Sequence, residues 1–503
     1  MIQGTGSGAG KSLIAAALCR IFSDEGMRVA PFKAQNMALN SYITREGGEI
    51  GRAQALQAAA ARVVATSDMN PVLLKASGEA GSQVVIQGRA VRHMKASEYY
   101  AYKQEAWKAV KESFSRLSQN HDLIVMEGAG SPAEINLMKV DIVNMAAAKM
   151  AKAPVLLVGD IDKGGVFAAL YGTAKLLGRD ARHIKGFIIN KFRGDMGILA
   201  PGLDMILQKT GKPVIGVLPY IFDLGLPEED GLALTEKRMT GTQGAIRIVV
   251  VRLKYIANFT DFDPLGLEPD VELIYSRNPA DIENADLLIV PGTKNTVQDL
   301  LFLKESGLDQ SILRAYAKGI TIAGLCGGYQ MLGRSISDPN GVESSYKDID
   351  GLGLLNIETT FEADKITCQV EAEIREECWE GSPTLAPGHS LHGYEIHMGR
   401  STGEIGLFSI SRLSSQQSPV TDHQLPLLDG SRNGNCWGTY LHGIFENNSF
   451  RRCMLDHIRK KKGLEPLGIF VDYGCDQDKA LDRLADLVKK NVDLQFIKRT
   501  IGL

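Results

Sequence analysis

Gly4-Thr5-Gly6-Ser7-Gly8-Ala9-Gly10-Lys11-Ser12 runs directly into Leu13-Ile14-Ala15-Ala16-Ala17-Leu18-Cys19-Arg20-Ile21-Phe22, a glycine-rich loop followed by an apolar helical stretch. A loop of this kind turns successive backbone N–H groups and a helix N-terminus toward phosphate. Lys11 then neutralises β/γ oxygens and Ser12 can hold Mg²⁺. The spacing is a variant: the strict phosphate loop has glycine where Thr5 stands, and the first glycine comes one residue early, at Gly4. Only Met1-Ile2-Gln3 precede it, so the strand that must feed the loop is very short or begins upstream.

Beyond the loop, short apolar runs alternate with amphipathic stretches, the pattern of a parallel sheet covered on both faces. Strands are expected at 27–31, 83–87, 122–126, 154–159, 184–190 and 213–218, with helices such as 52–66, 97–119 and 165–177. Acids at the carboxyl ends of such strands stand where α/β sheets bind ligands. Glu127, before Gly128-Ala129-Gly130, and Asp160 are therefore expected to join Ser12 at the metal, while Asp162 reads equally as the N-cap of the next helix. Leu226 to Gly244 is rich in Pro, Gly, Thr and charge without apolar period, and marks the domain boundary. A second α/β series follows, with strands at 246–251, 271–275, 287–290 and 320–323. More irregular strands lie near 369–374, 393–397 and 436–440, and closing helices near 450–462 and 478–497. The Ser/Gln run at 411–418 reads as a surface loop.

Two doubly wound α/β domains account for 503 residues. We expect a phosphate-loop domain over 1–234, a second domain over 247–447 and a C-terminal helical extension over 448–503. Fifty-six basic against fifty-nine acidic side chains leave a net charge of −3, with no footprint for nucleic acid or anionic membrane. No apolar run approaches the ~18 residues of a membrane span. Seven cysteines, an odd number without a CxxC pair, fit neither a disulfide framework nor a zinc knuckle, so a reducing, cytoplasmic setting is expected.

Ile320-Thr321-Ile322-Ala323-Gly324-Leu325-Cys326-Gly327-Gly328-Tyr329-Gln330 reads as strand, sharp turn and helix start, a nucleophile elbow with Cys in place of Ser. The flanking glycines permit the strained turn and the helix N-terminus favours thiolate. His442, among glycines after a late strand, is the expected base, ahead of the cluster His389, His392 and His397, whose surroundings alternate like a strand. The N–H of Gly327 is one expected oxyanion donor, and the Pro291-Gly292-Thr293 turn, through Gly292, another.

The loop Gly4-Thr5-x-Ser7-x-x-Gly10-Lys11-Ser12 resembles that of dethiobiotin synthetase and the cobyrinate-amidating enzymes, and Gly324–Gln330 with His442 resembles a class I glutamine amidotransferase. Both on one chain resemble the cobyric acid synthase family. Further stretches support this: Ala34–Ser41, Glu127–Leu137, Asp160–Phe167, Asn190–Asp195, Asn258–Leu265 and Pro291–Thr296. The resemblance gives nucleotide-binding roles to Gly4, Thr5, Ser7, Gly10, Lys11 and Ser12. It implies ATP- and glutamine-dependent amidation of the b, d, e and g carboxylates of adenosylcobyrinic acid a,c-diamide, with ammonia from glutamine and activation as an acyl phosphate. Two rival readings are the related a,c-diamide synthase and a partitioning-type ATPase, which has no use for Cys326 and His442. Three departures stand out. Ile444 occupies the place of the usual Glu two residues after the histidine, which leaves open what orients His442. Gly8 stands where relatives often have Asp, and the first strand is nearly missing.

Overall fold

The computed structural model describes residues 1–76, 81–221, 224–227, 238–240, 246–375, 388–413, 427–467 and 471–503. In the N-terminal half, strands Val29–Phe32, Leu123–Met126, Ile2–Gly4, Val155–Asp160, Ile184–Phe192 and Val214–Pro219 lie side by side in that order, all parallel. The first pair joins the rest through a bridge between Ile2 and Glu127. Their runs of Val, Ile and Leu are buried because helices cover both faces. The three-residue strand Ile2–Gly4 is central. Leu156 N donates to Met1 O at 2.9 Å, Gly128 N to Ile2 O at 2.8 Å and Thr5 N to Val158 O at 2.9 Å, so neighbours on both sides hold it.

The expected strand at 83–87 exists but belongs elsewhere. Gly81–Ile86 is antiparallel to both Val72–Ala76 and Arg89–Lys95, in a small sheet edged by Gln35–Met37. The cause is a two-residue hairpin at Gln87-Gly88, both left-handed with φ of 46° and 80°. The expected helix over 52–66 stops at Ala60, where Arg62 turns left-handed.

In the C-terminal half, strands Val271–Ser276, Ile246–Val251, Leu287–Val290, Thr321–Leu325 and Cys436–Thr439 form a parallel core, flanked by antiparallel Arg238–Thr240 and Ser431–Asn433. Arg238–Thr240 lies inside the segment read as boundary, which is therefore not wholly irregular. The runs expected at 369–374 and 393–397 are parts of two long antiparallel strands, Ile357–Ile374 and Ser390–Gly403, which head a second, mostly antiparallel sheet. Most of the Ser/Gln run lies outside the described residues. Both halves are α/β, as the alternation of runs predicts.

The closing helices divide between the two halves. Asn448–Lys461 buries Phe450, Met454, Leu455 and Ile458 in the C-terminal core. The helix expected at 478–497 is two, Tyr473–Asn491 and Leu494–Ile501, broken where Asp493 caps the second by accepting from Phe496 N at 2.8 Å. Both return to the N-terminal domain. Leu481, Leu484, Ala485, Val488 and Ile497 share a core with the Ile14–Phe22 helix. Arg20 is fully buried and ion-paired with Asp478 and, at 3.5 Å, with Asp482. The alanines of Lys11–Asp24 let sheet and return helix approach from opposite sides.

Candidate active site

Strand Thr321–Leu325 ends in Cys326, whose φ of 51° is left-handed, and the helix Gly327–Leu332 starts at once. A non-glycine residue held there is strained, the backbone geometry of a sharp strand-to-helix elbow. Gly328 is obligatory: a Cβ on it would sit 1.9 Å from Val290 O. Cys326 N donates to Thr439 O at 2.9 Å, tying the elbow to the next strand. The thiol donates to Ile396 O at 3.5 Å. The opening N–H groups of the following helix have no acceptor within it.

His442 follows that neighbouring strand and is brought to the thiol. Both residues flank Gly292, whose ideal Cβ would lie 3.3 Å from His442 Cε1 and 3.7 Å from Cys326 Cβ. What orients the imidazole is Asp261, whose Oδ2 lies 2.6 Å from His442 Nδ1, with both side chains at most 3% exposed. Asp261 Oδ1 also accepts from Gly443 N at 3.3 Å. Nε2 is buried without a fixed hydrogen bond among the described residues, beside Cys326. Burial alone would push the imidazole down, but the charge and hydrogen bond of Asp261, together with Cys326, more than offset it and hold it up to about 10. The resting residue is therefore imidazolium. Tyr394 stacks on it with centroids 5.2 Å apart.

His397 lines the same cavity, but both of its nitrogens are engaged, Nδ1 with Gly399 O at 2.8 Å and Nε2 with Glu395 Oε1 at 3.3 Å. It stacks on Tyr440 at 3.8 Å and braces the wall. His389 and His392 lie along the same long strand region, away from the elbow's lining.

At the other centre, Gly10 N-caps Lys11–Asp24 with φ 95°, where a Cβ would meet Asn190 Nδ2 at 2.1 Å. This helix has no side-chain cap and no acid in its first turn, so its N-terminal N–H groups suit an anion. Lys11 Nζ reaches Gly6 O at 2.8 Å and Gly130 O at 3.3 Å, holding its charge over the loop. Ser12 Oγ donates to Glu127 Oε1 at 2.9 Å, which sets a hydroxyl and a carboxylate side by side. Glu127 is buried and also accepts from Lys33 at 2.8 Å and from Gln57 at 2.6 Å. Asp160 pairs with Lys191 at 2.8 Å, and the same ammonium donates to Gly8 O at 2.8 Å. Asp162 faces Arg193 at 3.2 Å, and Gly165 is the actual cap of Val166–Leu176. Among the described residues no cluster of three His, Cys, Asp or Glu could hold a metal by itself. A hydroxyl plus one carboxylate is instead a donor set suited to Mg²⁺ shared with phosphates.

The two centres share a wall. Asn40 Oδ1 accepts from Phe259 N at 3.0 Å while Asn258 Oδ1 accepts from Ser41 N at 2.9 Å, a reciprocal clasp three residues before Asp261. Tyr394, stacked on His442, donates its hydroxyl to Ser41 O at 3.3 Å. Asp261, Lys33 and Gln57 were not singled out from the sequence. For Asp261 the signal was present, an acid in the family-like Asn258–Leu265 stretch after strand 246–251, but its partner is 181 residues away.

Residues 1–233 match the CobQ/CobB/MinD/ParA nucleotide binding domain and residues 247–450 the CobB/CobQ-like glutamine amidotransferase domain. The chain is 48% identical to the cobyric acid synthase of Thermodesulfovibrio yellowstonii, over 100% of this chain and 99% of that one. It is 49% identical to that of Thermoanaerobacter sp., covering 99% and 97%, and 47% identical to that of Streptococcus sanguinis, covering 100% and 98%. With an amidotransferase elbow and a phosphate loop joined across one wall, and with this identity from end to end, the chain belongs to the cobyric acid synthase family.

Proposed function

We propose that this chain uses ATP and glutamine to amidate the b, d, e and g carboxylates of adenosylcobyrinic acid a,c-diamide, giving adenosylcobyric acid. The observation that carries the reading is the Cys326–His442–Asp261 constellation built against the phosphate-loop domain of the same chain. Cys326 thiolate attacks the carboxamide carbon of glutamine while the N–H groups of Gly327 and Gly292 receive the oxyanion. His442 imidazolium gives its Nε2 proton to the departing nitrogen, so ammonia leaves and a thioester remains. The neutral imidazole then takes a proton from water, which attacks the thioester. Glutamate departs and the thiolate–imidazolium pair returns. Asp261 holds Nδ1–H throughout, the role the missing acid at Ile444 would have filled.

In the other domain, Lys11, the loop N–H groups, Ser12 and Glu127 would hold a magnesium nucleotide. When bound, ATP supplies the phosphoryl group that activates a corrinoid carboxylate for ammonia. Asp160, committed to Lys191 and through it to Gly8, positions the loop. The test incubates enzyme with ATP, Mg²⁺, glutamine and the a,c-diamide and follows corrinoid mass, which falls by one mass unit per carboxyl converted to amide. Four steps support the reading. Conversion of unamidated cobyrinic acid instead would favour the a,c-diamide synthase, and ATP hydrolysis with no amide formed would overturn both.

A further inference from the structure

The cavity at Cys326 is lined by two part-buried charged side chains, Lys294 and Glu343, that make no ion-pair contact among the described residues. Lys294 directly follows the Gly292-Thr293 turn, and its ammonium donates only to a neutral acceptor, Gln83 Oε1 at 2.9 Å, with no ion pair among the described residues. Its cationic neighbours, Lys365 and Lys75, are instead committed to Glu49, at 2.5 and 2.7 Å. Glu343 lines the same cavity and accepts from Val297 N at 2.9 Å, also without a cationic partner among the described residues. A cation and an anion that line one cavity without touching leave room for a ligand that carries the complementary charges between them.

Resting on the reading that Cys326 hydrolyses glutamine, we propose that Lys294 receives the α-carboxylate of the amino acid and Glu343 its α-ammonium, leaving the side-chain amide to reach the thiol. The site thus selects an α-amino-acid zwitterion. Burial, ahead of the repulsion from Lys365 and Lys75, pushes Lys294 down to about 7, and burial pushes Glu343 up to about 7. Both groups are therefore poised to ionise fully when opposite charge arrives. Because Gln83, Glu49 and Lys75 come from the N-terminal domain, that domain supports the carboxylate end of the site.

The test compares hydrolysis of L-glutamine, L-glutaminamide, which lacks the carboxylate, and glutaramate, which lacks the α-amino group. A lost charge-assisted contact in a buried site lowers kcat/KM roughly 10- to 100-fold, so the unmodified enzyme should discriminate against both analogues by about this factor. Lys294→Gln should erase discrimination against glutaminamide only, and Glu343→Gln against glutaramate only, with KM carrying most of the change. Equal use of all three amides by the unmodified enzyme overturns the proposal without any variant having to fold. Retained discrimination in both variants also overturns it. If Cys326→Ser hydrolyses glutamine at the full rate, it is the underlying glutaminase reading that fails.

Discussion

Asp261→Asn keeps the size of the side chain and an oxygen for Gly443 N, but removes the charge that holds His442 as imidazolium. With both side chains buried and only 2.6 Å between Oδ2 and Nδ1, this breaks a buried, hydrogen-bonded ion pair. Such a loss is typically worth about 3–5 kcal/mol. In a triad, the amide also favours the wrong imidazole tautomer, which costs up to about 10⁴-fold. Glutaminase kcat/KM should therefore fall between about 10² and 10⁴-fold. The pH profile supplies a second readout. The proton on His442 is lost near about 10 in the native protein, and without Asp261 burial is opposed only by Cys326, so that limb should move to lower pH in the variant. Stability follows the same sign: the folded state keeps a proton the unfolded chain gives up. The pair's contribution is thus complete below ~6.5 and declines as pH rises toward about 10, a slope the variant lacks. Steady-state glutaminase from pH 5 to 10 and denaturant melts over the same range would measure both. Activity within threefold of the native enzyme, with an unchanged alkaline limb, would refute the assignment of Asp261.

Cys326→Ala and Cys326→Ser should abolish glutamine-dependent synthesis but retain synthesis from high ammonium, measured by corrinoid mass, since only the ammonia source is removed. Lys11→Ala should abolish synthesis from either nitrogen source, while Glu127→Gln should raise the Mg²⁺ concentration giving half-maximal rate, both read in the ammonium-driven assay. His442→Asn should reduce glutaminase by about 10²–10⁴-fold, as loss of a positioned acid–base group does. His397→Asn, which removes a stacked wall residue with both nitrogens engaged, should cost far less in the same assay.

The parallel strands were legible because each is a short β-branched run between turn signals, and 246–251 and 287–290 carry the same bounds in sequence and structure. The Cys326 elbow was legible because its turn needs glycine at fixed places. The small antiparallel sheet escaped because Val84-Val85-Ile86 reads like a buried parallel strand, and only the Gln87-Gly88 turn shows otherwise. Asp261 escaped for another reason. The acid lies in a stretch that could be singled out, but local pattern does not say that it meets His442, which follows a strand with two others between it and Ile246–Val251 in the same sheet. Lys294 and Glu343 are equally silent in sequence, since a lysine in a turn and a glutamate in a loop are ordinarily solvated.

The return of Tyr473–Asn491 to pack on Lys11–Asp24 makes the amidotransferase half an insertion, in chain topology, within a discontinuous nucleotide-binding domain. The polypeptide crosses between the halves twice, once before residue 246 and once after residue 461. A body attached at two points has lost two of the rotations that a single linker leaves it. Contacts such as Arg52–Glu446, Lys365–Glu49 and the Asn40–Asn258 clasp hold the halves together in addition. Cutting the chain between the domains would not yield two autonomous halves, because the first would lack helices that complete its core. The fragments would have to assemble by strand and helix complementation, and any ammonia released at Cys326 would emerge at a wall that cannot drift from its partner by simple diffusion of a tethered domain.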